Sequence, residues 1–154
     1  MSTANRRVVV IGLGNSFAGD DAAGVLVARI VRERAPGRVT VFEHEGEPTA
    51  LLDRWDGARL AVVVDATFGG GTPGEVHVLD VTRAPLPASF TGTSTHAFGL
   101  AAAIELARTM RRLPERLVVV GIEGERFDAG ARPGAAVTAA LERAAEQVLA
   151  LVST

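Results

Sequence analysis

Three continuous apolar runs constrain the fold more than any other feature of the chain. Arg7 to Gly12, Leu60 to Ala66 and Arg116 to Ile122 are short, rich in β-branched residues and do not alternate with polar positions. Such runs read as strands covered on both faces, the pattern of a parallel sheet sandwiched between helices. The intervening segments supply the helices. Val25, Val27, Ile30 and Val31 give the first helix its apolar positions, and Pro36-Gly37 stops it. Val39 to Phe42 reads as strand two, and Thr49 to Trp55 as a short helix. Glu75 to Asp80 alternates, as an edge strand does, after the breaker-rich Gly69 to Gly74. Arg83 to Thr95 reads as irregular, His96 or Ala97 to Met110 as helical, and Ala135 to Val152 as a closing helix. The expected fold is therefore α/β: one domain over 1–154, a three-layer sandwich. Its mostly parallel twisted sheet has helices on both faces and one antiparallel edge strand.

Composition then removes whole classes of chemistry. The 154 residues include no cysteine and no lysine, so thiolate metal sites, iron–sulfur clusters, Cys nucleophiles, Schiff bases and a phosphate-binding lysine are all excluded. The formal net charge of −2 offers no basic surface for nucleic acid. No apolar run is long enough to span a membrane. Arg6-Arg7 before Val8 resembles a twin-arginine export signal, but the apolar run ends at Gly12, and Asp20-Asp21 stands where a cleavage site belongs. A first strand fits better, and the expected location is cytoplasmic.

In open α/β sheets ligands gather at the carboxyl ends of the strands. Gly12 and Gly14 follow strand one, but the third glycine of a dinucleotide fingerprint is replaced by Phe17. Asp20-Asp21 at the helix start would also repel a pyrophosphate. One aspartate suffices to cap a helix, so Asp20 is read as a cap and Asp21 as projecting toward the strand ends, with Gly24 allowing close packing. Asp65 ends a buried strand, where an unpartnered carboxylate is expensive. Glu43 ends strand two, followed by an acidic loop that begins at His44. His77 falls on the polar side of the edge strand, whereas His96 opens an apolar helix. Asp21, Asp65 and His96 thus form a candidate two-carboxylate, one-imidazole metal site. Asp20, Glu43 and Asn15 are supporting candidates. Ser16, Asp65 and His96 also follow the chain order of an α/β-hydrolase triad, with Gly14-Asn15-Ser16-Phe17-Ala18 near the elbow spacing.

These motifs carry a resemblance. Gly12-Leu13-Gly14-Asn15, then Asp20-Asp21 and Gly24, resembles the signature of the hydrogenase maturation endopeptidases. Val64-Asp65-Ala66 resembles their second acidic motif, and Ser94-Thr95-His96 with Gly99-Leu100 their histidine motif. Gly121-Ile122-Glu123 and the closing helix resemble their last strand and helix. The resemblance implies an aspartic-type endopeptidase-like hydrolase that trims the C-terminal extension of a nickel–iron hydrogenase large-subunit precursor. It implies that Asp21, Asp65 and His96 act at nickel brought by the substrate, or hold a surrogate divalent cation such as zinc or cadmium. The family often has Glu where this chain has Asp21, and glycines where it has His44-Glu45. A nickel sensor without catalysis, and the Ser16 hydrolase, are the alternative readings.

Overall fold

The computed structural model describes residues 7–15, 19–45, 47–91 and 95–153, and at 48, 89, 91 and 95–98 the backbone alone. In chain order these form β1 (Val8–Leu13), a 3-10 turn (Gly19–Ala22), α1 (Ala23–Arg34), β2 (Val39–His44), a second 3-10 turn (Pro48–Ala50), α2 (Leu51–Trp55), β3 (Leu60–Thr67), β4 (Val76–Asp80), α3 (Ala88–Thr91), α4 (Thr95–Thr109), β5 (Arg116–Glu123) and α5 (Ala135–Val152). The sheet order is β2-β1-β3-β5-β4. β1, β2, β3 and β5 run parallel, and β4 closes the edge antiparallel to β5. The expected architecture holds, including the single antiparallel edge. The short helix α3 lies in the stretch read as irregular, because Pro85 and Pro87 mask a turn that begins just after them.

The pleat sends alternate residues of each strand into two separate cores. Val8, Val10, Val62, Val64, Val118 and Val120 pack against α1 and α5, whereas Val9, Ile11, Ala61, Val63, Leu117 and Val119 pack against α2 and α4. All eight residues of β3 are buried, which is why its sequence shows no alternation. Among the described residues, no helix is long and apolar enough to cross a membrane.

Close packing of α1 fixes the path of the chain beyond β1. A Cβ on Gly24 would strike the carbonyl oxygens of Val64 and Leu13, and one on Gly12 would come within 2.6 Å of Ala28 Cβ. The first turn of α1 therefore lies directly on the ends of β1 and β3. Gly24→Ala has no room to relax without lifting α1 from the sheet, so we expect it to lower stability by about 2–3 kcal/mol. A drop in the urea midpoint at unchanged m-value is the measurement, and an unchanged midpoint would refute this packing argument.

Candidate active site

Asp65 and Asp21 come together at the carboxyl edge of the sheet. Asp65 is the sixth residue of β3, paired in register with Gly121 of β5. Its place in the alternation puts its side chain on the α4 face, following Ala61 and Val63. It is fully buried, and among the described residues neither carboxyl oxygen has a hydrogen-bond partner. Burial pushes the proton affinity of Asp65 well above the ordinary carboxylate range, the negative charge of Asp21 adds to this, and the neighbouring Ala66 amide opposes both.

Asp21 reaches this edge from the 3-10 turn between β1 and α1 and is 7% exposed. Asn15 N–H donates to its Oδ2 at 3.1 Å, and Gly14 N–H donates to the His44 carbonyl at 3.1 Å. Gly14 has φ +142°, and a Cβ there would strike the Asp21 carbonyl oxygen, so only glycine lets the chain turn this tightly. This tight turn at Gly14 brings the Asp21 carboxylate toward the strand ends.

His96 is the second residue of α4. That helix precedes β5 and runs antiparallel to it, so its N-terminus lies at the carboxyl edge. Its buried residues Leu100, Ala103 and Ile104 cover the sheet face that holds Asp65. The His96 side chain, like the whole of Ser16, lies outside the described residues. Among the described residues no three His, Asp or Glu side chains gather closely enough to hold a metal. The described part of the candidate triad is the carboxylate pair.

The supporting candidates resolve differently from expectation. Asp20 does not cap α1, whose N-cap is Ala22 with no side-chain hydrogen bond. Instead it is wholly buried and accepts the N–H groups of Glu125, Arg126 and Gly134 at 2.8, 2.9 and 2.6 Å. It ties the turn bearing Asp21 to the loop between β5 and α5. Glu43 faces α1 and pairs with Arg29 and Arg32 at 3.0 and 2.7 Å, hydrogen bonds that hold its carboxyl below the usual range. It is thereby withdrawn from the site. His44, read as part of a solvated loop, is the buried end of β2. Its Nδ1 accepts from Arg54 at 3.2 Å and its Nε2 donates to the Glu47 carbonyl at 2.9 Å. The strand runs two residues further than Phe42, and pleat alternation turns Glu43 to the α1 side and His44 to the α2 side.

One buried acid escaped a role in the sequence reading. Glu123 ends β5 at 3% exposure and accepts the N–H groups of Gly69 and Gly71 at 3.0 and 2.9 Å. The signal was present: an acid closing a continuous apolar strand, as at Asp65.

A doubly covered, mostly parallel sheet with paired acids at its carboxyl edge defines an α/β protein built to act on a ligand there. Comparison with known proteins specifies the class. The profile of the hydrogenase maturation protease family matches residues 25–151, and the chain belongs to that family. It is 29% identical to the hydrogenase 2 maturation protease of Escherichia coli strain K12, over 94% of this chain and 89% of that protein. Its fold superposes on the hydrogenase maturating endopeptidase HybD from Escherichia coli with a TM-score of 0.81, at 29% identity, covering 96% of this chain and 92% of that one. The [NiFe] hydrogenase maturation protease HybD from Thermococcus kodakarensis gives 0.74 at 25% identity, covering 94% and 98%. By membership the chain is a peptidase.

Proposed function

We propose that this endopeptidase removes the C-terminal extension of a nickel–iron hydrogenase large-subunit precursor, using Asp21, Asp65 and His96 to detect the nickel already inserted there. Asp65 carries this reading. A buried carboxyl with neither oxygen hydrogen-bonded within the described residues, set beside a second carboxylate, is costly for the protein alone. A divalent cation docked against the pair offsets that cost. Two carboxylates and an imidazole suit nickel and zinc alike, and the chain has no thiolate with which to strip nickel from a precursor.

In this mechanism nickel is part of the substrate. Contact with Asp21, Asp65 and His96 registers the scissile peptide against the carboxyl edge of the sheet. Nickel held by these residues would supply Lewis acidity, and an ionised carboxylate of the Asp21–Asp65 pair takes a proton from the water that adds to the scissile carbonyl. The C–N bond then breaks, and the departing amine takes the proton that the carboxylate received from water. Asn15 N–H keeps Asp21 in place, and Asp20 anchors the turn from behind.

The test is to incubate the protein with nickel-loaded and nickel-free precursor and look for the shortened large subunit. Cleavage of the loaded form alone is expected, with loss in His96→Ala and retention in Ser16→Ala. Equal cleavage of both forms sinks nickel detection. Loss in Ser16→Ala with indifference to chelators selects the serine hydrolase instead. Metal binding without any cleavage selects the sensor.

A further inference from the structure

β2 is an edge strand of the sheet, and its last residue, His44, holds the turn that carries Asp21. His44 pairs with Leu13 at the end of the β1–β2 ladder, and its carbonyl oxygen accepts the Gly14 N–H at 3.1 Å. That bond is the final rung. Beyond it the chain turns at once, with Gly14 against the Asp21 backbone and Asn15 N–H donating to Asp21 Oδ2 at 3.1 Å. The placement of Asp21 therefore depends on whether the end of β2 stays paired with β1. The end of an edge strand frays readily, because it has a neighbour on one side only.

The His44 side chain opposes that fraying. It is buried, and both of its ring nitrogens are bonded. Arg54 of α2 donates its Nε–H to Nδ1, which leaves the ring proton on Nε2, facing the Glu47 carbonyl. That carbonyl also accepts the Ala50 N–H at 3.0 Å, so the imidazole is fastened to the second 3-10 turn as well. Arg54 is itself fixed, with its guanidinium carbon 4.4 Å from the centre of the Phe42 ring. Phe42 and His44 lie one pleat repeat apart on the same face of β2, and one arginine spans both. On the opposite face Glu43 pairs with Arg29 and Arg32, but those ion pairs lie at the surface and contribute little.

We propose that His44 and Arg54 are positioning residues, which act through the His44 carbonyl and Gly14 to hold Asp21 at the carboxyl edge of the sheet. The consequence for cleavage rests on the function proposed above. The hold on the turn does not. Loss of either side chain lets the end of β2 separate from β1 and gives Asp21 a spread of positions. A carboxylate that is no longer fixed registers its metal less often, although every group that meets the substrate is still present.

The experiment joins amide hydrogen exchange in the full chain to calorimetric titration with Ni²⁺ alone. Arg54 is half-buried, so Arg54→Ala leaves the core intact. In that variant the Gly14 amide should exchange about tenfold faster, while the Val63 and Val64 amides keep their rates. His44→Ala should do the same. His44→Asn, whose Oδ1 replaces Nδ1 as the acceptor for Arg54, should restore most of the protection. Ni²⁺ binding should weaken about tenfold in each alanine variant, and the double variant should be no weaker than the weaker single one, since both act through one bond. An unchanged Gly14 rate in both alanine variants, or losses of Ni²⁺ affinity that multiply, overturns the proposal. On nickel-loaded precursor, Arg54→Ala should lower kcat about tenfold with KM held. A raised KM with kcat unchanged would make Arg54 a substrate contact and overturn the positioning role. A parent chain that binds no Ni²⁺ and cuts no precursor counts against the proposed function, and the Gly14 rates then decide the hold on the turn by themselves.

Discussion

Asp65→Asn should make the metal-free protein more stable and the peptidase inactive. The carboxyl holds its proton more tightly in the folded chain than in the unfolded one, first through burial and then through the charge of Asp21. The sign of the pH dependence comes from that direction. Below the ordinary carboxylate range both states are protonated and Asp65 costs nothing. As pH rises through about 4, the unfolded chain releases the proton while the folded chain still keeps it, so folding stability falls. The loss is complete only above the raised folded-state value. Asparagine removes the ionisation, so its advantage should be absent at low pH, grow with pH and level off. Thermal midpoints across a pH series measure this, and a chain of this size shifts by roughly 2–4 °C per kcal/mol. An Asn variant less stable than its parent at neutral pH would show that Asp65 is satisfied by a group outside the described residues.

Function should move the other way. Under the proposed role of Asp65, contact with the substrate's nickel contributes several kcal/mol, so cleavage of nickel-loaded precursor should fall about a thousandfold. Divalent cation should stabilise the parent and not the variant, by about 2.7 kcal/mol at a concentration a hundredfold above Kd. The stability gain and the activity loss then have one origin, a buried charge kept for its ligand.

The layers of the sheet were legible because burial on both faces leaves an unmistakable mark: Val62, Val63 and Val64 admit no solvent-facing register. Asp65 was legible for the same reason, as the polar residue that interrupts such a run. What the sequence hid was direction. Adjacent acids differ by which way a short turn or pleat points them, and composition is silent on that. Asp20 and Asp21 look equivalent, yet one reaches back to the β5–α5 loop and the other faces the strand ends. Glu43 and His44 exchanged their expected exposures because β2 extends to His44, and a shift in where a strand ends decides which side chain is paired with Arg29 and Arg32. Glu123 bears the same mark as Asp65, an acid closing an apolar run, but what holds it does not show in the sequence. Its partners are backbone N–H groups of a glycine loop more than fifty residues away in sequence, and no pattern of side chains announces them.

Asp20→Ala should be the most destabilising single change near the site. Three backbone N–H groups, from Glu125, Arg126 and Gly134, converge on its two oxygens, and alanine leaves all three without a partner. Each stranded donor costs about 1–3 kcal/mol, less where water can enter, so a total loss of about 3–6 kcal/mol is expected. That is a large share of the 5–15 kcal/mol typical of a folded domain. Gly134 is the N-cap residue of α5 and lacks a side chain to cap with, so the carboxylate also supplies the favourable charge at that helix start. Asp20→Asn keeps one acceptor but points an NH₂ group at donors, so it should fall between parent and alanine. Urea unfolding orders the three, and amide exchange should accelerate across residues 125–134 first. The neighbouring acid predicts the reverse, since Asp65→Asn removes a charge that the described residues leave uncompensated whereas Asp20→Ala removes one they have built around. Two buried aspartates at one sheet edge with opposite signs of effect would separate the residue that holds the site together from the residue the site exists to present. If Asp20→Ala instead proved harmless, the β5–α5 loop would have to be anchored by contacts outside those three hydrogen bonds.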